Sequence, residues 1–180
     1  MNFFQAIILG IVQALTEYLP VSSSAHIRII GDLMLGADPG AAFTAFIQIG
    51  TELAVILYFR RDIINILSHW FGCLFGKNGP DWRARMGRGD KYATLGWNVI
   101  VGSIPIIILG FTLQNIIETS LRNLWITVTV LFLFGLLLWI VDARSRQIKT
   151  MDDMNYRDAF LFGLGQSMAL IPGVSRSGGT

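Results

Sequence analysis

The sequence is poor in charge. Of its 180 residues 14% are Asp, Glu, Lys or Arg, where soluble domains carry roughly a quarter. With 53% hydrophobic residues and a mean hydropathy of +0.56, that deficit excludes an ordinary soluble surface and points to a membrane protein. The net charge is only +2, and basic and aromatic residues do not interleave, which argues against a nucleic-acid-binding face. Cys73 is alone, which excludes an intrachain disulfide and a cysteine-based metal cluster. The N-terminus lacks a basic n-region and a small-residue cleavage pattern, so it does not read as a removable signal peptide.

Three long apolar runs are present: Ala41–Phe59, Ala93–Leu113 and Leu124–Val141. Each suits a bilayer-spanning helix, which needs about 20 residues. Pro105 is expected to kink the second. Asp62–Phe75 is amphipathic and is expected to lie on the membrane surface, with His69 and Trp70 at the interface and no chemistry assigned to His69. Basic residues concentrate in 60–91 and 142–157, which places both segments in the cytoplasm. The 114–123 connection, with Glu118 and Arg122 as its only charges, is then outside. One membrane domain results. It comprises a first repeat over 1–60, a cytoplasmic segment and basic loop over 61–92, two spans over 93–142 and the start of a second repeat at 158–180.

The repeat is legible without gaps. Ala6, Gly10, Gln13, Leu15, Val21, Ser22 and Ser24 align with Ala159, Gly163, Gln166, Met168, Val174, Ser175 and Ser177. Each copy runs as an apolar helical arm, a proline and a Ser-rich loop. The positive-inside assignment sends the first arm in from the outer face and the second from the cytoplasm. The predicted fold is therefore an all-α polytopic helical bundle, with re-entrant helix–loop hairpins in an inverted repeat whose second half is incomplete. In such plans broken helices meet near the midplane and build a site.

The two loops carry the chemistry. Gln13 and Glu17 are four apart and share a helix face; an ionisable group at membrane depth usually faces a cavity or a partner. Ser22, Ser23 and Ser24 supply hydroxyls, and His26 is a candidate general acid or base. In the second loop Arg176 offers a planar fork for phosphate oxygens. Gly173 allows close backbone approach, and Ser175, Ser177 and Thr180 add donors. This is the parts list of a phosphate site. Ser23 is the first candidate nucleophile with His26 as its base; His26 as nucleophile, or as activator of water, stays open. Glu17, with Gln13, is the candidate holder of a divalent cation. Glu52, in mid-span, reads as a structural hydrogen-bond partner.

Gly10–His26 (GIVQALTEYLPVSSSAH), Pro172–Thr180 (PGVSRSGGT) and the intervening FIQIGTELAVILYFRRD together resemble the undecaprenyl-diphosphate phosphatase family, linked to bacitracin resistance. Gln13 and Glu17 match its (E/Q)xxxE motif. Pro172, Gly173, Ser175, Arg176, Ser177 and Thr180 match PGxSRSxxT, and Ser23 and His26 match its loop serine and histidine. The resemblance implies hydrolysis of undecaprenyl diphosphate to undecaprenyl phosphate and inorganic phosphate, which recycles the carrier lipid for cell-wall synthesis. It further implies catalytic Glu17, Ser23, His26 and Arg176, and phosphate binding by Ser22, Gly173, Ser175, Arg176, Ser177 and Thr180. The family works with magnesium or calcium, in the bacterial inner membrane, with a site thought to open outward. Expected partners are the lipid substrate and membrane lipids, with a homodimer compatible and no nucleic acid. Members of the family continue past this motif, so the chain is expected to be a truncated form. The competing class is a transporter or flippase of a phosphorylated polyprenyl lipid, because inverted repeats are also a transporter plan.

Overall fold

The computed structural model describes residues 1–119, 123–145, 149–150 and 153–180. Of the expected outer connection, Arg122 lies outside the described residues and Glu118 is described by its backbone alone; Arg146 of the second basic segment also lies outside them.

The described residues form nine α-helices: α1 (Phe3–Thr16), α2 (Ser23–Leu35), α3 (Ala41–Tyr58), α4 (Arg60–Leu74), α5 (Trp82–Arg85), α6 (Lys91–Thr119), α7 (Leu124–Arg144), α8 (Tyr156–Ser167) and α9 (Arg176–Gly179). A 3-10 turn, Met168–Leu170, follows α8. Three helices are long and apolar enough to cross a membrane: Ala41–Tyr58, the Lys91–Gln114 part of α6, and Leu124–Arg144. They coincide with the three apolar runs. Their flanks stay bare in the isolated chain, with Phe111 80%, Phe132 71% and Trp139 70% exposed, as lipid-facing residues should be. The chain is an all-α, multi-pass membrane protein.

The shorter helices are set by their caps. Asn2 Oδ1 accepts from the Gln5 amide at 2.9 Å, and Gln5 Oε1 accepts from the Asn2 amide at 2.8 Å. This reciprocal pair satisfies two of the orphan donors at the start of α1. Asn155 and Asp158 repeat it at the start of α8. At 14 residues α1 is about 21 Å long, short of the roughly 30 Å hydrocarbon core. It turns back as α2, whose end is stopped by Gly36 in the left-handed region (φ 67°). The Ser-rich stretch read as loop is helical from Ser23 onward, because Ser22 takes the N-cap position and frees the next residues to start the turn. Likewise Arg176–Gly179 is a short helix capped by Ser175 rather than an open loop. Helix α6 continues through Pro105.

Packing uses small residues. A Cβ on Gly163 would collide with the Gly102 carbonyl, and one on Gly102 would come 3.1 Å from the Ala159 carbonyl oxygen. Helices α6 and α8 therefore cross with their backbones in contact, the usual route to tight association in lipid. Gly165 and Gly179 bring α8 against α9 in the same way. Helix α4 packs on the start of α6, with Trp70 and Trp97 rings edge to face at 5.3 Å. At that junction Asp90 accepts from the Ala93 amide (3.0 Å) and pairs with His69 Nδ1 (2.8 Å). Cys73 beneath is buried.

Candidate active site

Helix α1 ends at Thr16, and Glu17 is its C-cap. Gln13, one turn earlier and 2% exposed, donates from Nε2 to Glu17 Oε2 at 2.8 Å. Ser23 Oγ donates to the same oxygen at 2.5 Å, within the range of charge-assisted O–H···O bonds. Ser22 is the sole described non-glycine residue with positive φ (63°), a conformation disfavoured for L-residues. It is also buried, and its hydroxyl meets Ser24 Oγ at 3.2 Å. The Ser22 carbonyl takes His26 Nδ1 at 2.9 Å. With Nδ1 donating there, the imidazole lone pair sits on Nε2. The hydroxyl partner of Ser23 is thus Glu17, while His26 is anchored one turn along α2.

The second loop is pinned to α7. Gly173 has φ 102°, and a Cβ there would lie 2.5 Å from the Thr127 carbonyl oxygen; only glycine fits both demands. Buried Ser175 caps α9, accepting from the Gly178 amide at 3.3 Å. Its hydroxyl meets Ser177 Oγ at 3.0 Å. Ser177 in turn donates to the Leu19 carbonyl of the first loop at 2.8 Å. Arg176 Nη1 reaches Glu52 Oε1 of α3 at 3.3 Å, and Gln48 Nε2 approaches that oxygen at 3.5 Å. Thr180 Oγ1 donates to the Arg176 carbonyl at 3.1 Å.

The loops converge. One cavity of about 120 Å³ is lined by Gln13, Glu17 and Ser22–Ser24 from the first loop, Val174, Ser175 and Arg176 from the second, and Thr44 and Gln48 of α3. A neighbouring, more open cavity of about 350 Å³ shares Glu17 and Arg176 and adds Tyr18, Glu52, Gln166, Ser177 and Thr180. Gly173 supports the loop against α7, and His26 stands behind Ser22; neither lines the two cavities. Sequence reasoning missed Thr44, Gln48 and Tyr18, whose hydroxyl donates to the Thr51 carbonyl at 2.6 Å. A signal was available for one of them: Gln48 and Glu52 repeat the spacing of Gln13 and Glu17.

The two loops also share their local geometry, position for position in the alignment of the repeat. Asn2 and Asn155 are matched capping boxes. Ser22–Ser24 and Ser175–Ser177 are matched hydroxyl pairs. Arg176 opens α9 where Ser23 opens α2. The two equivalent positions hold different chemistries, a hydroxyl held by a carboxylate and a guanidinium, facing one space.

Among the described residues no group of three His, Cys, Asp or Glu side chains is placed to hold a metal ion. The cavity offers one carboxylate (Glu17), two amides (Gln13, Gln48), four serine hydroxyls and the Thr44 hydroxyl, all oxygen donors to a hard cation. With a single carboxylate, that set carries too little negative charge for an all-protein cage. It does fit a magnesium-type ion, which is commonly held by one or two carboxylates with the remainder from substrate phosphates.

These features define a class: a polytopic helical membrane protein that encloses a small, anion-ready polar site between two helix–loop–helix units. A family model described as bacitracin resistance protein BacA matches residues 6–180, and the chain belongs to that family. It is similar to proteins named undecaprenyl-diphosphatase from Bifidobacterium longum subsp. infantis (88% identical over 180 residues) and Bifidobacterium longum (89% over 180). A protein of the same name from Micrococcus luteus is 53% identical over 181 residues. Each match takes in 100% of this chain. The chain spans about 61% of the length of the two Bifidobacterium relatives and 62% of that from Micrococcus luteus.

Proposed function

We propose that the protein removes the terminal phosphate of undecaprenyl diphosphate, giving undecaprenyl phosphate and inorganic phosphate, and so returns the carrier lipid to cell-wall synthesis. The observation that carries this reading is one cavity holding the Glu17–Ser23 pair on one wall and Arg176 on another. The names of the relatives supply the substrate. No observation favours a transporter or flippase.

The residues divide the work as follows. Ser23 Oγ attacks the terminal phosphorus, and its proton passes to Glu17, the oxygen it already contacts at 2.5 Å. The bridging P–O bond breaks and the lipid monophosphate departs. Arg176 leaves Glu52 to grip the equatorial oxygens, where phosphoryl transfer concentrates charge; Ser22, Ser175, Ser177 and Thr180 donate around it. Water then attacks the phosphoserine, the Ser23 Oγ–P bond breaks as Glu17 returns its proton to Oγ, and inorganic phosphate is released. Glu17 and the Gln13 amide oxygen would hold magnesium or calcium, which when bound supplies further charge neutralisation at the phosphate oxygens.

The site is placed in the bacterial inner membrane and opens outward in this reading. Support comes from the ends of the helices. Gln5 bonds the Met34 carbonyl (3.3 Å), near where α3 begins, whereas Asn98 bonds the Met154 carbonyl (3.3 Å) among the basic segments. In this reading α1 and α8 start from opposite ends of the bundle and approach where Ser177 bonds Leu19, contacts that support an inverted, re-entrant arrangement. Phosphate release from purified protein of the relatives' full length, in detergent, is the test. Turnover of undecaprenyl diphosphate supports the reading. Its absence from a preparation that binds the lipid overturns it.

A further inference from the structure

Arg28 is a cation the phosphate site does not use. It sits one helical turn beyond Ser24 on α2, so the two side chains share a face. A separate cavity of about 120 Å³ opens on that face, lined among others by Ser24, Arg28, Asp38 and Thr44. Ser24, Thr44 and Ala169 line this cavity and the Glu17–Arg176 cavity alike, so the two adjoin through a common wall. The guanidinium pairs with the Asp38 carboxylate through Nη1, as an ion pair without hydrogen-bond alignment, and its enclosed Nε has no acceptor. A buried donor left unmade is costly and marks a place where an acceptor belongs. Apart from Thr127, the remaining wall is apolar: Ile27, Ala169, Leu170 and Pro172. One unspent guanidinium donor beside apolar walls suits a phosphate esterified to a hydrocarbon. It suits free phosphate less, since that ion needs polar partners on every side.

From this arrangement we infer that Arg28 binds the lipid-side phosphate of the diphosphate and thereby positions the terminal phosphorus between Ser23 and Arg176. The inference rests on the phosphatase reading for the identity of its ligand. Asp38 sets the strength of the subsite: its carboxylate offsets the guanidinium charge, so the lipid monophosphate product is held weakly enough to leave.

Protein of the relatives' full length in detergent is titrated calorimetrically with farnesyl monophosphate and, separately, with inorganic phosphate. Phosphate release from farnesyl diphosphate is followed on the same preparations. Arg28→Gln is expected to weaken farnesyl monophosphate about tenfold, the scale of one hydrogen bond to a charged group, and to leave inorganic phosphate binding unchanged. Asp38→Asn is expected to tighten farnesyl monophosphate, and Arg28→Lys to fall between Arg28→Gln and the parent because it keeps the charge and loses the fork. If Arg28→Gln does not fold, Asp38→Asn and Arg28→Lys still decide, since their effects have opposite signs. An ion pair with a structural role alone would make both weaken binding, which overturns the inference. Equal weakening of both anions by Arg28→Gln also overturns it. Arg28-dependent binding of farnesyl monophosphate without phosphate release would keep the subsite and sink the phosphatase reading. Release with Arg28-independent binding would do the reverse.

Discussion

Ser23 donates to a carboxylate that also takes the Gln13 amide, so one oxygen of Glu17 holds two donors in register. Residues coupled this way behave as a unit. Ser23→Ala and Glu17→Gln are each expected to lower turnover by about 10²–10⁴, the range of general-base assistance, with the double variant little worse than either. Steady-state phosphate release measures this, and full multiplication of the two losses would separate their roles. Arg176→Lys is expected to lose most activity despite keeping its charge, because one ammonium cannot span two oxygens as the fork does. The sequence carried Glu17, Ser23 and Arg176 through motif spacing. It did not carry which group Ser23 touches: that depends on the positive φ of Ser22, which rotates the start of α2 so that Ser23 faces α1 and His26 faces the Ser22 carbonyl. Burial pushes the Asp90 carboxyl up, but hydrogen bonds from His69 and the Ala93 amide, with the nearby His69 charge and a bond from Asn78, hold it below the ordinary value. A carboxylate depressed in the fold stabilises it fully above the unfolded pKa of about 4 and loses that contribution as pH falls through the folded value. Thermal unfolding in detergent between about pH 3 and 6 should therefore show acid destabilisation that Asp90→Asn reduces. An unchanged slope would contradict the role given to Asp90.

At the scale of elements, the three spans were legible because lipid demands long apolar runs, and α4 because its charged face is periodic. The crossing of α6 on α8 was not. Gly102 and Gly163 read as ordinary helix glycines until their backbones are seen to touch. A leucine at Gly163 must push the two helices apart, and overpacking of this kind costs about 1–3 kcal/mol. Gly163→Leu should lower the unfolding temperature in detergent. The same substitution at Gly110, where a Cβ meets nothing within 4 Å, should not. The start of α2 reads as loop in sequence because a run of three serines is a poor helix interior; in the fold Ser22 takes the N-cap position without a side-chain cap bond, its hydroxyl meeting Ser24 Oγ, and the helix begins at Ser23.

Across the whole molecule, the repeat was visible in sequence as matched Gly, Gln and Ser positions, and the paired caps and hydroxyl pairs repeat it in space. The third wall of the site, Thr44, Gln48 and Glu52 of α3, was legible only in part: Glu52 reads as a hydrogen-bond partner and Gln48 sits at the same spacing from it as Gln13 from Glu17, but nothing in the sequence marks Thr44. The basic segments share one end of the bundle, where Arg83 and Arg88 line a pocket with Tyr156. Burial and the adjacent Asp90 push the Cys73 thiol up, so it stays protonated and unreactive. In a Cys73→Ala background, Arg88→Cys should label only from the cytoplasm and Ala37→Cys only from outside; labelling of both from one face would contradict the opposed entry proposed for α1 and α8.

Ser23, held by Glu17 and facing Arg176, is the residue proposed to receive the phosphoryl group. Acid quenching of the full-length protein during turnover of substrate labelled in its terminal phosphate, followed by peptide mapping, tests this role directly. The predicted result is acid-stable, base-labile label on the peptide carrying Ser23, absent in Ser23→Ala. Acid-labile label on His26, or sustained turnover by Ser23→Ala, would contradict it.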